Sequence, residues 1–265
     1  MYPFSYHKPA SVADAAGLAG TADDAKILAG GMTLLPTMKQ RLASPANLID
    51  LSAIKDLKGI EVTGDTVTIG AMTRHADVAA SAAVAKAIPA LADLASLIGD
   101  PAVRHRGTIG GSIANNDPAA DYPAAALAMG ATIHTNKRAI PADDYFTGMF
   151  ETALEEGEIV TKVSFPIPKK AAYEKFRNPA SRYAIVGVFV ADTASGIRVA
   201  VTGSGASGVF RATEIEAALT KSFTPEAAGA VKMSAEGLNS DIHADAEYRA
   251  HLISVMAKRA VAKAK

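Results

Sequence analysis

Two double-glycine stretches constrain this chain more than any other feature. Gly30-Gly31-Met32-Thr33-Leu34 and Gly110-Gly111-Ser112-Ile113 lie far apart in sequence, are entered from Leu28-Ala29 and Thr108-Ile109, and each carries a hydroxyl just beyond the glycines. Paired glycines let the backbone turn so that successive N–H groups point into one concavity, and a neighbouring Ser or Thr adds a further donor. Such a concavity binds an anion, typically phosphate, and two of them side by side suit a pyrophosphate. The same residues equally suit two ordinary turns between strands and helices, so spacing alone leaves both readings open.

The chain has 265 residues, which at roughly 100 to 200 residues per domain favours two domains. Hydrophobic residues make up 49% and aromatics only 6%, a composition able to bury a large core of small aliphatic side chains. Lys+Arg and Asp+Glu both number 27, so no basic field exists to draw the chain onto nucleic acid or an anionic membrane. There is no cysteine, which removes disulfides, thiolate nucleophiles and Cys-ligated zinc or iron–sulfur clusters. The opening MYPFSYHKPA has no basic segment followed by an apolar stretch, and no run of about 18 apolar residues occurs. The expectation is a soluble, unprocessed, cytoplasmic protein.

Ser11 opens an expected alanine-rich helix that Gly20 to Asp24 ends, and Lys26 to Ala29 reads as a short buried strand. Thr33 is placed to cap a helix with Leu34, Leu35, Met38 and Leu42 on one face, which Pro45 stops. Strands are expected at Asn47 to Leu51 and around Val62, Val67 and Ile69, with Gly64-Asp65 as a hairpin turn. Residues 76–98 are helical in pattern, broken by Pro89, and 99–107 read as a loop. Asp117-Pro118 predicts a helix over 119–129, with strands at 131–134 and 158–165. The Pro166-Ile167-Pro168-Lys169-Lys170 stretch is the best domain boundary, because strands alternate with helices before it. After it come strands at 173–177, 183–191 and 197–202, then helices over 213–220, 225–238 and from 245, an α+β pattern.

Gly203-Ser204-Gly205-Ala206-Ser207-Gly208 is a literal G-x-G-x-x-G, but no second parallel strand ending in Asp or Glu follows about 20 residues on, and a strand-to-helix turn explains it better. Asp117 and Asp121 lie four apart on one face of the expected helix. They suit capping and dipole stabilisation, or acceptance of hydrogen bonds from sugar hydroxyls. None of the six histidines lies in a metal-ligand spacing, and Arg104-His105-Arg106 reads as solvated charge able to steer a phosphate. No G-x-S-x-G or Ser-Lys pattern argues for nucleophilic catalysis.

The stretches from Ala29 to Lys39 and from Val103 to Ala124, with the opening Phe4 to Pro9 and the tail Arg198 to Leu219, resemble the FAD-binding medium subunit of molybdenum hydroxylases. That family includes the flavin domain of xanthine dehydrogenase. The resemblance implies an α+β chain: a two-subdomain FAD-binding fold of the vanillyl-alcohol-oxidase (PCMH) type over 1–168, its subdomains at about 1–58 and 59–168, then a smaller α+β C-terminal domain over 169–265. It implies FAD wrapped at its pyrophosphate by Ile27, Leu28, Ala29, Gly30, Gly31, Met32, Thr33 and Leu34, and by Thr108, Ile109, Gly110, Gly111 and Ser112. Asp121 would hold nucleotide hydroxyls, Ile98, Gly99, Ile159 and Val160 would lie near the isoalloxazine or adenine, and Thr73 and Lys175 would be further flavin contacts.

The resemblance further implies [2Fe–2S] clusters on a small partner subunit and molybdopterin on a large one, in an expected dimer of heterotrimers, and a chain without cysteine agrees with clusters held elsewhere. FAD would pass their electrons to an acceptor, with no residue here acting as a substrate acid or base. A self-contained flavin oxidase or reductase, or a scaffold that has lost flavin, are the alternatives. On this reading Gly31→Val or Gly111→Val abolishes flavin retention and Gly205→Ala does not.

Overall fold

The computed structural model describes all 265 residues. The chain opens with strand β1 (Ser5–His7), helix α1 (Val12–Thr21), β2 (Ala25–Leu28), α2 (Leu34–Lys39) and β3 (Asn47–Asp50). These strands form a small parallel sheet in the order β1-β3-β2. Ser11 caps α1 by accepting from the Asp14 amide at 3.1 Å. The second helix is shorter than expected: it stops at Lys39, Arg41 turns into the left-handed region, and Leu42 is exposed rather than on a buried face.

A second sheet starts with the hairpin β4 (Ile60–Thr63) and β5 (Thr66–Gly70), turned by Gly64 at φ +57°. The alanine-rich segment becomes three short helices, α3 (His75–Ala79), α4 (Ala82–Ala87) and α5 (Pro89–Ser96), followed by α6 (Pro101–Arg106), α7 (Ile109–Asn115) and α8 (Tyr122–Met129). The chain returns through β6 (Thr132–Thr135), β7 (Ala139–Pro141), α9 (Ala142–Tyr145), the ribbon β8 (Phe146–Gly148) with β9 (Glu151–Thr152), and β10 (Val160–Pro166). The sheet order is β4-β5-β10-β6-β7, antiparallel throughout.

Two expectations fail here for related reasons. The loop expected over 99–107 is helix α6, capped by Asp100 accepting from the Val103 amide at 2.9 Å. The helix expected from Ala119 starts only at Tyr122, because Asp117 makes a local turn onto the Ala119 amide at 2.8 Å. The Pro118 and Ala120 carbonyls that a longer helix would use accept instead from the Thr202 hydroxyl, at 3.0 and 2.6 Å.

The last sheet is antiparallel, β11 (Lys170–Arg177), β12 (Ala184–Thr193), β13 (Gly196–Thr202) and β14 (Phe210–Arg211), followed by α10 (Thr213–Lys221), α11 (Pro225–Gly229) and α12 (Ala246–Lys263). The helix expected over 225–238 ends at Gly229, where Val231 offers its carbonyl to the Ser254 hydroxyl of α12 instead. Both faces of this sheet are covered, so β12 is an unbroken apolar run rather than an alternating one. Val186, Val188 and Val190 pack with Ile215, Ile253 and Met256 on the helical side. Phe189 and Ala191 join the core of the middle sheet on the other. Each of these valine, isoleucine, methionine and phenylalanine side chains contributes about 1.5–3 kcal/mol by burial. Helix α8, buried all round, is the shared layer between the second and last sheets, and its alanines let both approach closely.

Candidate functional site

The three sheets leave a cleft of about 480 Å³ between them, within the range of small-molecule and cofactor sites. One wall is the turn from β2 to α2, the opposite wall the Ile98–Asp100 and Gly107–Asn115 segments, and the ends are Ile159-Val160 and Lys175. The two walls meet closely, backbone to backbone at Gly30. A Cβ on Gly30 would lie 2.2 Å from the Arg106 carbonyl oxygen, and one on Gly111 3.3 Å from the Ala29 Cβ. Gly30 is therefore demanded by the approach of the opposite wall, whereas Gly110 is crowded by Ala71 and Gly111 first by the Thr108 hydroxyl of its own turn.

They do not, however, form two equivalent anion sites. The main-chain N–H groups of Gly30, Gly31, Met32, Thr33 and Leu34 donate to no group of the protein, Gly31 takes φ +73°, and Thr33 makes no capping bond. Five successive uncommitted amides at a cleft wall are the geometry of an anion cradle. The second pair lies inside α7, and its amides are spent: Ile109 donates to the Thr73 carbonyl at 3.1 Å, Gly110 to Ala71 at 2.8 Å, and Gly111 to the Thr108 hydroxyl oxygen at 3.1 Å. What this wall offers a ligand is the hydroxyl groups of Thr108 and Ser112.

Thr73 and Ile109 are the two expected site residues that do not line the cleft. Thr73 is buried with its hydroxyl donating to the Gly59 carbonyl at 3.1 Å and accepting from the Gly59 amide at 3.0 Å. Ile109 is fully buried in the middle core. Both act from behind, because segment 71–75 runs against 107–110 and pins the second glycine pair. All the other expected positions are brought together.

Asp121 does not cap α8. Its carboxylate is 3% exposed and 2.9 Å from the Lys175 ammonium, itself 2% exposed on β11. The Tyr173 hydroxyl donates to Asp121 at 2.5 Å and Lys175 donates also to the Leu97 carbonyl at 3.1 Å. Burial pushes the Asp121 carboxyl up, against the opposing pull of Lys175 and Tyr173. Glu158 is held the other way: despite its burial, bonds from Arg138, Thr135 and the Glu155 amide bring it down to about 2. That ring of bonds fixes the turn leading into Ile159.

Sequence reasoning missed His75, Tyr183 and Ser181, which also line the cleft. A lone histidine and a tyrosine after a turn carry no spacing signal. His75 packs against Tyr122 with ring centroids 5.4 Å apart, and its Nδ1 has no partner. Burial, and then the charge of Arg104, lower it to about 4. An unfolded chain would protonate this ring at 6.5, so its contribution is fully present above pH 6.5 and is lost as pH falls through 4. The loss amounts to about 3 kcal/mol. Urea midpoints of the His75→Gln variant are expected to fall less between pH 7 and pH 4 than those of the parent; equal falls contradict this.

The G-x-G-x-x-G lies outside the cleft, as a turn after β13 in which the Gly203 amide donates to the Pro118 carbonyl at 2.7 Å. A Cβ on Gly205 would lie 2.3 Å from the Gly208 carbonyl oxygen. Gly205→Ala is therefore expected to cost about 1–3 kcal/mol of stability, measured by urea denaturation. The flavin absorbance per chain should not change.

No group of three or more His, Asp or Glu side chains gathers where a metal could be held. No helix is long and apolar enough to cross a membrane.

Comparison with known proteins agrees with this geometry. Residues 2–168 match the family described as the FAD binding domain in molybdopterin dehydrogenase, and residues 171–264 the CO dehydrogenase flavoprotein C-terminal domain. The carbon monoxide dehydrogenase medium chain of Hydrogenophaga pseudoflava is 39% identical over 97% of this chain and 96% of its own length. The nicotine 6-hydroxylase medium subunit of Paenarthrobacter nicotinovorans is 38% identical over 98% and 96%. Among solved structures, carbon monoxide dehydrogenase from Hydrogenophaga pseudoflava superposes with a TM-score of 0.89 at 40% identity, covering 99% of this chain and 98% of that one. Quinoline 2-oxidoreductase from Pseudomonas putida 86 gives 0.90 at 30% identity, covering 99% and 96%. The fold, the cleft and these likenesses agree: the chain belongs to the FAD-binding medium subunits of the molybdopterin dehydrogenases, an oxidoreductase family.

Proposed function

We propose that this chain is the electron-output subunit of a heteromeric molybdenum hydroxylase. The observation that carries the reading is the row of uncommitted amides from Gly30 to Leu34 facing the Thr108 and Ser112 hydroxyls across one cleft. These groups suit the two phosphates of FAD: the amides neutralise anionic oxygens without the desolvation cost of a buried cation. Asp121 suits the nucleotide's hydroxyl groups as an acceptor, with Lys175 and Tyr173 holding its carboxylate in place. Ile98, Gly99, Ile159 and Val160 offer apolar surface for ring systems, and Lys175 is the one cation buried at that end. His75, kept neutral by burial beside Gly107, adds no charge to the cleft.

FAD would supply the exchange of electrons singly with iron–sulfur clusters and in pairs with a terminal acceptor. The protein's part is to seat it, exclude water with the apolar walls, and fix the ring end against the last sheet. A chain without cysteine holds no Cys-ligated cluster of its own, which supports clusters on a small [2Fe–2S] partner; the proposed assembly adds a large molybdopterin partner, with two such heterotrimers paired in the cytoplasm. The relatives are themselves called medium chains or subunits.

The test is purification of the tagged chain from its own cells. Co-recovery of a cysteine-rich partner and a molybdopterin partner is expected, with [2Fe–2S] signals in the reduced complex by electron paramagnetic resonance. Substrate turnover by the chain alone would favour a self-contained flavin enzyme instead.

A further inference from the structure

Arg249 sits in the first turn of α12, outside the cleft, and its side chain is 3% exposed. Its Nη1 donates to the Ile185 carbonyl at 2.6 Å and to the Gly203 carbonyl at 3.0 Å, its Nε to the Ala244 carbonyl at 3.3 Å, and its Nη2 to the Asp241 carboxylate at 2.8 Å. We propose that Arg249 is a positioning residue for the flavin site, fixing from behind the two wall segments that carry Asp121 and Tyr183. The inference rests on FAD occupying the cleft.

The path from Arg249 to each segment is short. The ladder between β12 and β13 ends at Gly187 opposite Thr202. Beyond that last pair, the guanidinium bridges Ile185 on one strand and Gly203 on the other. Ile185 lies two residues after Tyr183, which lines the cleft together with Ser181. Gly203 leads to the second segment: its amide donates to the Pro118 carbonyl at 2.7 Å, and the buried Thr202 hydroxyl serves the Pro118 and Ala120 carbonyls. Asp117, Ala120 and Asp121 of that segment line the cleft, and Asp121 holds Lys175 there. Helix α12 is thus joined to both walls through two strand ends. Gly203 takes φ +85°, and a Cβ on it would run into the Ala184 carbonyl, so the strand ends pass this closely only with glycine.

A buried ion pair adds little net stability over an apolar residue of similar volume. What a guanidinium adds is direction, because its planar fork presents several donors at fixed angles. The fork is itself held in place. Asp241 Oδ1 accepts from the His243 and Ala244 amides at 2.8 and 3.1 Å, so the carboxylate that meets Nη2 belongs to a closed turn. Groups that contact a ligand keep their geometry when the residues behind them are locked in this manner.

The experiment titrates FAD into the full chain, stripped of flavin, in three variants. Arg249→Lys keeps the charge but lacks the planar fork. Asp241→Asn keeps the turn and places a donor opposite Nη2. Met256→Ala is the control: Met256 is 1% exposed, about two turns further along the same helix, and its truncation lowers stability without touching the tether. The FAD Kd is expected to rise about tenfold in Arg249→Lys and severalfold in Asp241→Asn, with a weaker visible circular dichroism of the bound flavin in both. In Met256→Ala both should stay near the parent values despite a lower urea midpoint. Kd changes that merely follow the urea midpoints across the three variants, or no change in the first two, would overturn the proposal. A parent chain that takes up no FAD defeats the FAD reading by itself, and the tether is then judged by amide exchange on the chain without flavin. Peptides over 117–121 and 199–205 should exchange faster in Arg249→Lys than in Met256→Ala; equal exchange overturns the tether.

Discussion

Gly30→Ala is expected to abolish FAD retention, although it adds a single methyl group. That methyl would lie 2.2 Å from the Arg106 carbonyl oxygen and 2.7 Å from the Gly107 Cα. Both obstacles are backbone, so no rotamer change relieves them, and the two walls of the cleft must separate. Separation costs packing at the wall and moves the amides from Gly30 to Leu34 away from the Thr108 and Ser112 hydroxyls. The stability cost is about 3 kcal/mol, and the loss of cofactor should be complete. The neighbouring glycines are gentler sites. A Cβ on Gly31 meets the mobile end of Leu35 at 2.8 Å, and one on Gly111 meets the Thr108 hydroxyl at 2.9 Å. Alanine at position 111 should weaken FAD binding less than alanine at position 30, by flavin absorbance after gel filtration. The reverse order would mean that ligand approach, rather than wall-to-wall packing, sets the need for glycine.

The second large effect is expected at the buried pair. Removing Lys175 by Lys175→Met leaves the Asp121 carboxylate 3% exposed with only the Tyr173 hydroxyl as partner. Breaking such a pair costs about 3–5 kcal/mol, most of it the penalty of a lone buried charge. Asp121→Asn strands the ammonium instead, with the Leu97 carbonyl as its remaining acceptor. The double variant should recover most of the lost stability in urea titrations, because no charge is then left unpaired. It should not recover FAD affinity if Asp121 accepts from the nucleotide's hydroxyls. Full recovery of both would reduce the pair to a structural element.

The Asp-Pro dipeptide shows how far local signals carry. It occurs at 100–101 and at 117–118, and the rule of a capping Asp before a first-turn Pro applies equally to both. At 100–101 the rule holds and α6 follows. At 117–118 it fails, because Thr202 and Gly203 of the last sheet take the Pro118 carbonyl and Thr202 takes that of Ala120. The deciding partners lie more than 80 residues away, beyond any local pattern. Helix 225–238 is cut short in the same manner by α12.

The cleft was legible in part because its paired glycines stand out in the sequence as strings. What local reading could not supply is which amides stay free. The two Gly-Gly echoes look alike as strings, yet only the first leaves its donors uncommitted, since the second is stitched to Ala71 and Thr73. Thr73 and Ile109 stand apart for that reason: their sequence neighbours line the cleft while they hold its wall from behind. His75 and Tyr183 reach the site through packing on Tyr122 and the edge of β12, which no spacing encodes.

This cleft is built to hold FAD. Purifying the chain without added cofactor, recording its absorption spectrum and identifying the nucleotide released on denaturation tests this. A flavin spectrum is expected, gained on purification or after incubation with FAD, near one FAD per chain, and lost in Gly30→Ala. A colourless protein that takes up no FAD would contradict it.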